Sequence, residues 1–217
     1  PLRRQRQMCI RDRIMAGYSI LSLSDIIDEK GEDFCREILS FFSCPPNPDV
    51  EKFLTKRSAI DFAKQSIAQT FLVYASYRGK NVLCGYFTIA NKYIVVGSHS
   101  VSKTTARRLR KFAMPNISDD NLVIMAPLIA QLGKNYMNDY RKLITGDELL
   151  KMAIDKVSAA QRIIGGKVVY VECEDIDILK KFYEDNGFVI FGKRRLDKEE
   201  RGEMNGSHLI QLLKYLN

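Results

Sequence analysis

Apolar side chains recur at intervals of three and four residues in the first third of the chain. The pattern runs from Asp25 to Phe42 and again from Asp49 to Gln69, with a weak point near Lys56 to Ser58. This spacing places apolar residues on one face of a helix. Three prolines between residues 45 and 48 separate the two stretches and cannot continue a helix. We therefore predict two helical regions joined by a rigid turn.

The next segments have the composition of β-strands. Thr70–Tyr77 and Val82–Ser98 are rich in Val, Ile, Tyr, Phe and Thr, with Arg78–Asn81 between them. This arrangement predicts a β-hairpin. Asn121–Leu132 is strongly apolar and predicts a buried strand, although Pro127 lies in its middle. Because proline has no N–H to donate, we expect a bulge there or a place where a neighbouring strand departs.

Helical and strand-like patterns alternate regularly from Asp147 onward. The predicted order is helix, strand, helix, strand and strand, over Asp147–Ile163, Lys167–Glu172, Ile176–Asn186, Phe188–Lys193 and His208–Tyr215. A strand followed by a helix and another strand favours at least one parallel pair. The pattern therefore predicts an α/β or α+β fold, a mixed sheet with helices on its faces.

The composition is that of an ordinary globular chain. Of the 217 residues 46% are hydrophobic and 28% are charged, which excludes collagen-like and wholly disordered classes. No apolar run approaches the roughly 18 to 20 residues that a membrane-spanning helix needs. No signal peptide is apparent before Ile26, because Arg11, Asp12 and Arg13 interrupt any apolar segment. We expect a cytoplasmic protein.

Half of the net charge of +8 lies in the first thirteen residues. They hold five arginines and one acid, and the remainder has 29 basic and 25 acidic residues. Met8–Arg13 matches the translation of a common transposase sequencing adaptor. We therefore expect residues 1–13 to be a non-native tail and residues 14–217 to form a single domain, with Met15 as a plausible start. The alternative is a short basic tail of the natural protein.

A second basic segment lies at Ser102–Ala113. Its apolar residues are three apart, which predicts a short amphipathic helix with a basic face. The basic residues are Lys103, Arg107, Arg108, Arg110 and Lys111. This face is either a solvated helix surface or a ligand-binding surface.

Few residues are available for metal or nucleophilic chemistry. The five cysteines include no C-x-x-C pair, and the two histidines, His99 and His208, are far apart in the sequence. We predict no metal site. The sequence has neither a G-x-S-x-G nor a Walker-type phosphate motif. The cysteines fit reduced, structural thiols.

The segment between the Asn121–Leu132 strand and the next helix is the candidate for binding chemistry. Thr145 and Glu148 match the T-x-x-E capping box, and Asp147 lies in the first turn. A loop that ends in a helix N-terminus directs backbone N–H groups toward one point and favours an anion there. The two acids oppose that role, and most helix N-termini bind nothing.

Two motifs in this order of elements resemble the GNAT superfamily of N-acetyltransferases. Arg141–Gly146 looks like the acetyl-CoA signature Arg/Gln-x-x-Gly-x-Gly/Ala, and Phe182–Phe188 looks like F-Y-x-x-x-G-F. The resemblance covers roughly Ser43 to Tyr215. The helix at Val50–Ile67 and the strand at Gly85–Thr88 fit the branch that includes toxin-like acetyltransferases. One departure is Ile144, which replaces the first glycine of the signature.

The resemblance implies a mostly antiparallel sheet with a central parallel pair, acetyl-CoA held between two splayed strands, and direct acetyl transfer to an amine. In this family a backbone N–H near Leu132 would stabilise the oxyanion, and Tyr183 would protonate the departing thiolate. Glu172 is the candidate base, although a water chain is the alternative. The cofactor-binding residues implied are Leu132, Arg141, Lys142, Leu143, Ile144, Thr145, Gly146 and Asp147.

The acceptor stays open at this point. Likeness to toxin-type members suggests the amino group of an aminoacyl-tRNA, with Lys103–Lys111 contacting phosphates. A small-molecule amine or a protein lysine is the second option. The alternative from another class is a non-catalytic module that keeps the fold and binds a partner such as an antitoxin-like repressor. The substitution at Ile144 favours this last hypothesis.

Overall fold

The computed structural model describes residues 17–56, 58–115, 120–197 and 207–216. Seven strands form one sheet in the order β1-β2-β3-β4-β5-β7-β6. Their bounds are Tyr18–Ser22 (β1), Ala68–Tyr77 (β2), Lys80–Gly97 (β3), Asn121–Lys134 (β4), Val168–Glu174 (β5), Val189–Arg195 (β6) and His208–Tyr215 (β7). The prediction of a mixed α/β sheet is confirmed.

Helices lie between these strands. Their bounds are Leu23–Lys30 (α1), Glu32–Leu39 (α2), Pro48–Thr55 (α3), Ser58–Lys64 (α4), Lys103–Leu109 (α5), Gly146–Ile164 (α6) and Asp177–Asp185 (α7). A short 3-10 helix, Met137–Lys142, precedes α6. Among the described residues no helix is long and apolar enough to cross a membrane.

The described chain forms two compact units. The first contains the described residues up to Thr88 together with Leu132–Leu149. In it β1 pairs antiparallel with β2, from Tyr18 opposite Ala75 to Ser22 opposite Phe71. Helices α1 to α4 contribute a buried core with residues of β2 and β3, among them Leu39, Leu54, Ile60, Leu72 and Tyr86. Because β1 is only five residues long and runs straight into α1, sequence reasoning missed it.

Two local features of the first unit differ from the sequence prediction. The predicted helix from Asp25 to Phe42 is two helices, because Gly31 takes φ +83° between them. That left-handed region is open to glycine at little cost. The hairpin loop has two residues rather than four, since Arg78 and Gly79 both have positive φ, the requirement of a type I′ turn. The predicted break near Lys56 to Ser58 is confirmed.

The second unit contains Ile89–Gln131 and the described residues from Leu150 onward. Here β7 lies between β5 and β6 and pairs antiparallel with both. Strands β4 and β5 pair in parallel, with Leu128 opposite Tyr170 and Ile129 opposite Val171. The pairing begins directly after Pro127 and covers only these two residue pairs. The predicted parallel pair is therefore present and very short.

The core of the second unit draws on every strand in it. Its buried members include Val96, Leu109, Ile124, Val168, Phe191 and Leu213. The segment between the predicted strands Phe188–Lys193 and His208–Tyr215 lies partly outside the described residues. Residues 1–13 and Met15 lie wholly outside them. The single domain from residue 14 stays a prediction.

Candidate functional site

Asn135 fixes the start of the loop between β4 and α6. Its side chain is fully buried. The amide Nδ2 donates to the carbonyls of Phe41 (2.7 Å) and Leu83 (2.8 Å), and Oδ1 accepts from the N–H groups of Ser43 and Met137, both at 3.0 Å. These four hydrogen bonds use the full capacity of an asparagine amide. One side chain thus joins the loop to β3 and to the segment after α2.

Backbone contacts reinforce this anchor. Asn135 N–H donates to the Cys84 carbonyl at 2.9 Å, and Tyr136 N–H donates to the Ser43 carbonyl at 2.7 Å. Just before it, Gly133 is buried, and a Cβ added there would come within 3.0 Å of the Tyr86 ring and closer still to Val50. The chain therefore enters the loop along a path that admits no side chain at position 133.

The basic residues of the acetyl-CoA-like signature are exposed in the middle of the loop. Lys142 Nζ donates to Asp139 at 2.8 Å, and Arg141 Nε lies 3.8 Å from the same carboxylate. The hydrogen bond from Lys142 lowers the pKa of Asp139. Arg141 also lies over the Tyr136 ring, 5.3 Å from its centroid. Asp139 thus partly neutralises both of these predicted cofactor-binding residues.

The predicted capping box at the start of α6 is confirmed. Glu148 accepts from the backbone N–H and the hydroxyl of Thr145, both at 2.8 Å, and the Glu148 N–H donates to the Thr145 hydroxyl at 3.1 Å. The hydrogen bond from the Thr145 N–H holds the pKa of Glu148 below its ordinary value. The Glu148 carboxylate therefore lies at the N-terminus of α6, the position where the sequence predicts an anionic ligand.

Two N–H groups at this point remain available. Those of Ile144 and Gly146 donate to no acceptor in the described part of the chain. The Ile144 side chain is 2% exposed, so it packs in the interior and leaves the loop surface clear. Asp147 is exposed in the first turn. Leu132 is half-buried in β4, and Tyr18 of β1 donates to the Leu143 carbonyl at 2.7 Å.

Lys134 is a site residue that the sequence analysis missed. It is the last residue of β4, half-buried beside the loop. Burial and the nearby Arg141 lower its pKa, while the Glu148 carboxylate opposes that shift. Its position directly before the polar loop was the available signal. All eight predicted cofactor-binding residues and Lys134 lie in one continuous segment, Leu132–Asp147.

Tyr183 lies on α7 in the second unit. Its ring meets those of Phe182 and Phe188 edge-on, with centroids 5.0 and 5.7 Å away. Its hydroxyl forms no hydrogen bond with a described residue. The hydroxyl is also not one of the atoms that are buried without a hydrogen-bond partner. Burial raises the pKa of Tyr183, and Cys173 adds to the shift. The hydroxyl therefore stays protonated at neutral pH and is free to donate.

Glu172, the other predicted catalytic residue, lies in a polar network on β5. One oxygen accepts from Arg194 Nε and the other from Gln211 Nε2, each at 2.8 Å. The Glu172 side chain is 12% exposed. The network ties β5 to β6 and β7 in the second unit.

The predicted basic helix is α5, in the second unit. Its N-cap Ser102 accepts from the Thr105 N–H at 3.1 Å, and Ala106 and Leu109 are buried. Basic residues of α5 and of the two positions after it are exposed, and we call them the basic surface: Lys103, Arg107, Arg108, Arg110 and Lys111. None of these five forms an ion pair with a carboxylate of the described chain. No group of three His, Cys, Asp or Glu suited to a metal occurs among the described residues.

Comparisons with known proteins identify the fold. No family model and no curated protein matches the chain. Three similar solved structures are a tyrosine-to-phenylalanine mutant of KacT, AtaT complexed with acetyl-methionyl-tRNAfMet, and an AtaT mutant toxin bound to acetyl-CoA and the C-terminus of the antitoxin AtaR.

The KacT structure has a TM-score of 0.58 at 16% identity, over 90% of this chain and 95% of that one. The AtaT structures score 0.56 and 0.55 at 16% and 15% identity, over 89% and 92% of this chain and 93% of each of theirs. This likeness shows that the chain shares the fold of these structures, the GNAT fold.

The Asn135 anchor gives a stability prediction. We expect Asn135→Ala to lower the free energy of unfolding by about 3 kcal/mol, because it removes four hydrogen bonds to the backbone and leaves the buried Leu83 carbonyl without this partner. Urea unfolding followed by circular dichroism measures the change. Asn81→Ala, at an exposed hairpin position, is the control and should change stability by less than about 0.5 kcal/mol. Equal changes in the free energy of unfolding in both variants would contradict the role of Asn135 as the anchor of the loop.

Proposed function

We propose that the chain is an acetyl-CoA-dependent N-acetyltransferase that moves an acetyl group to a primary amine by direct attack, without a covalent enzyme intermediate. The observation that carries the proposal is the Asn135-anchored loop, which ends in two unpaired N–H groups at the start of α6. Solved structures with the same fold include AtaT bound to acetyl-CoA. Acetyl transfer to amines in the purified protein is the direct test.

The donor site in this proposal is the segment Leu132–Asp147. The pyrophosphate of acetyl-CoA accepts from the N–H groups of Ile144 and Gly146, and the α6 dipole favours its charge. Arg141, Lys142 and Lys134 supply positive charge. The Glu148 carboxylate repels an anion and therefore weakens anion binding. The Leu132 N–H donates to the oxyanion that develops on the thioester carbonyl.

A substitution at the helix start tests this donor site. We expect Gly146→Glu to raise the dissociation constant of acetyl-CoA about tenfold or more, because a second carboxylate would face the pyrophosphate. Gly146→Gln has nearly the same shape without the charge and is the matched control. Isothermal titration of both variants measures the difference. Equal affinity in the two would mean that the loop does not hold the pyrophosphate.

Tyr183 is the proposed acid for the departing thiolate. We expect Tyr183→Phe to leave acetyl-CoA affinity nearly unchanged and to lower kcat about 10²-fold or more, the scale of a lost general acid. Tyr93→Phe, at an exposed position of β3, controls for the loss of a hydroxyl. Steady-state kinetics with a fixed amine gives both constants. Unchanged turnover would remove Tyr183 from the mechanism.

Glu172 is the proposed base for the incoming amine, with a water chain as the alternative. Because Glu172 also belongs to the network with Arg194, its test must separate a catalytic role of the carboxylate from a structural one. We expect Glu172→Gln to lower kcat/KM, whereas Arg194→Gln breaks the same ion pair, keeps the carboxylate and retains turnover. An equal loss in both variants, measured across pH, would assign the ion pair a structural role only.

For the acceptor we propose the amino group of an aminoacyl-tRNA. The basic surface of α5 and the two residues after it carries five exposed cations without ion pairs to the described residues, and the AtaT structure is a complex with acetyl-methionyl-tRNAfMet. Binding through phosphate contacts should weaken steeply as salt concentration rises. The antitoxin bound to AtaT suggests a protein repressor as a further partner.

Two other functions give different results in the same assays. A small-molecule or protein-lysine acetyltransferase would acetylate free amines and leave the basic surface without effect. A non-catalytic module would bind acetyl-CoA or a protein partner without any turnover. Salt-dependent RNA binding together with acetylation of aminoacyl-tRNA separates the proposed function from both.

A further inference from the structure

Tyr18 contacts the loop before α6 from a distant part of the chain. It is the first residue of β1, and its hydroxyl donates to the Leu143 carbonyl at 2.7 Å, although the two residues are 125 positions apart. Both belong to the first unit. In the described ranges the Leu143 carbonyl accepts from no other group. This hydrogen bond therefore joins β1 to the segment Leu132–Asp147.

The position of Tyr18 is set by the sheet and not by the loop. Strand β1 pairs antiparallel with β2, and Tyr18 lies opposite Ala75 in that register. At the start of α1, directly after β1, Ser24 donates to the Gln69 side chain of β2 at 2.6 Å. A side chain on a paired strand is held more precisely than one on a loop. The Tyr18 hydroxyl is thus a fixed donor against which the loop is placed.

The Leu143 carbonyl and the Ile144 N–H belong to the same peptide unit. In a planar trans unit these two groups point in opposite directions. A donor that holds the carbonyl on one side therefore directs the N–H to the other side, away from Tyr18. The Ile144 N–H has no acceptor among the described residues, and it is one of the two N–H groups that the proposed donor site uses.

Other contacts fix the peptide units on either side of this one. The Leu143 N–H donates to the Tyr140 carbonyl at 2.9 Å. The Thr145 N–H donates to Glu148 at 2.8 Å. Within the described chain, the unit between them has a single hydrogen bond, the one from Tyr18. The direction of the N–H in that unit consequently depends on the Tyr18 hydroxyl.

The environment of Tyr18 keeps its hydroxyl protonated. Burial raises the pKa of Tyr18, and the nearby Glu148 carboxylate and Cys84 add to the shift. The hydrogen bonds from Thr145 lower the pKa of Glu148, and the Tyr18 hydroxyl also lowers it. The same hydroxyl thus donates beside the carboxylate that opposes an anionic ligand.

We propose that Tyr18 is a positioning residue of the donor site, which holds the Ile144 N–H toward the pyrophosphate of acetyl-CoA by fixing the Leu143 carbonyl. This inference rests on the proposed function. Tyr18 acts here through the loop and not on the ligand. Without its hydroxyl the peptide unit is less ordered before binding, so the ligand must order it at a cost in affinity.

The test compares two variants that each remove one hydroxyl. Tyr18→Phe keeps the ring and the backbone pairing of β1, and Ser24→Ala removes the hydrogen bond to Gln69 away from the loop. We expect Tyr18→Phe to raise the dissociation constant of CoA about five- to tenfold, the scale of one lost hydrogen bond. Ser24→Ala should leave it nearly unchanged. Isothermal titration measures both constants, and circular dichroism checks that both variants are folded.

Acetylpantetheine, a donor without the pyrophosphate, separates positioning from a general structural role. We expect Tyr18→Phe to raise KM for acetyl-CoA by the same factor, to retain kcat, and to use acetylpantetheine at the wild-type rate. An equal loss with both donors would assign Tyr18 a general structural role and overturn the proposal. An unchanged dissociation constant of CoA in Tyr18→Phe would overturn it while leaving the proposed function intact. Wild-type protein that binds no CoA would overturn both.

A measurement on the wild-type protein needs no variant. The amide proton resonance of Ile144 should move downfield on titration with CoA, because the N–H then donates to the pyrophosphate. An Ile144 resonance that stays in place while CoA binds would overturn the positioning role of Tyr18.

Discussion

The buried side chain of Asn135 is the contact on which the candidate site depends. Its four hydrogen bonds join the loop after β4 to β3 and to the segment after α2. A buried amide that leaves one bond unmade costs more than the bond contributes, so such a residue specifies a single arrangement. Gly133 adds a steric limit, because Val50 and Tyr86 occupy the space of any side chain there. The loop therefore reaches the start of α6 along one fixed path, with the Ile144 and Gly146 N–H groups unpaired.

The capping box sets the electrostatics at the end of this path. Glu148 stabilises α6 by accepting from Thr145, and the same carboxylate opposes an anionic ligand at the helix N-terminus. The half-buried Lys134 and the exposed Arg141 and Lys142 offset that charge. Anion binding here thus depends on a balance between these three cations and the carboxylates of Asp139, Asp147 and Glu148, rather than on a helix dipole alone. In the second unit Tyr183 retains its proton and an unengaged hydroxyl, as a general acid requires.

Much of the fold, and the capping box of the candidate site, could be predicted from hydrophobic periodicity and helix-capping residues, because those patterns are local. The order of elements from β2 onward, the capping box and the parallel pair follow from such patterns. The strand β1 was missed because five residues carry too little pattern, and the division of the first helix depends on the backbone of a single glycine, Gly31. Contacts between residues distant in sequence determine the roles of Asn135 and Lys134 and the burial of Ile144. No local pattern contains them.

The most direct measurement is a thermal-shift titration of the full chain with acetyl-CoA, with CoA and adenosine diphosphate as controls. A ligand that binds only the folded state at ~100 times its Kd adds about 2.7 kcal/mol to stability. We expect saturable stabilisation by acetyl-CoA and by CoA, larger than that by adenosine diphosphate. The absence of any shift at millimolar acetyl-CoA would contradict a donor site in this loop, and the non-catalytic binding module would then become the better explanation.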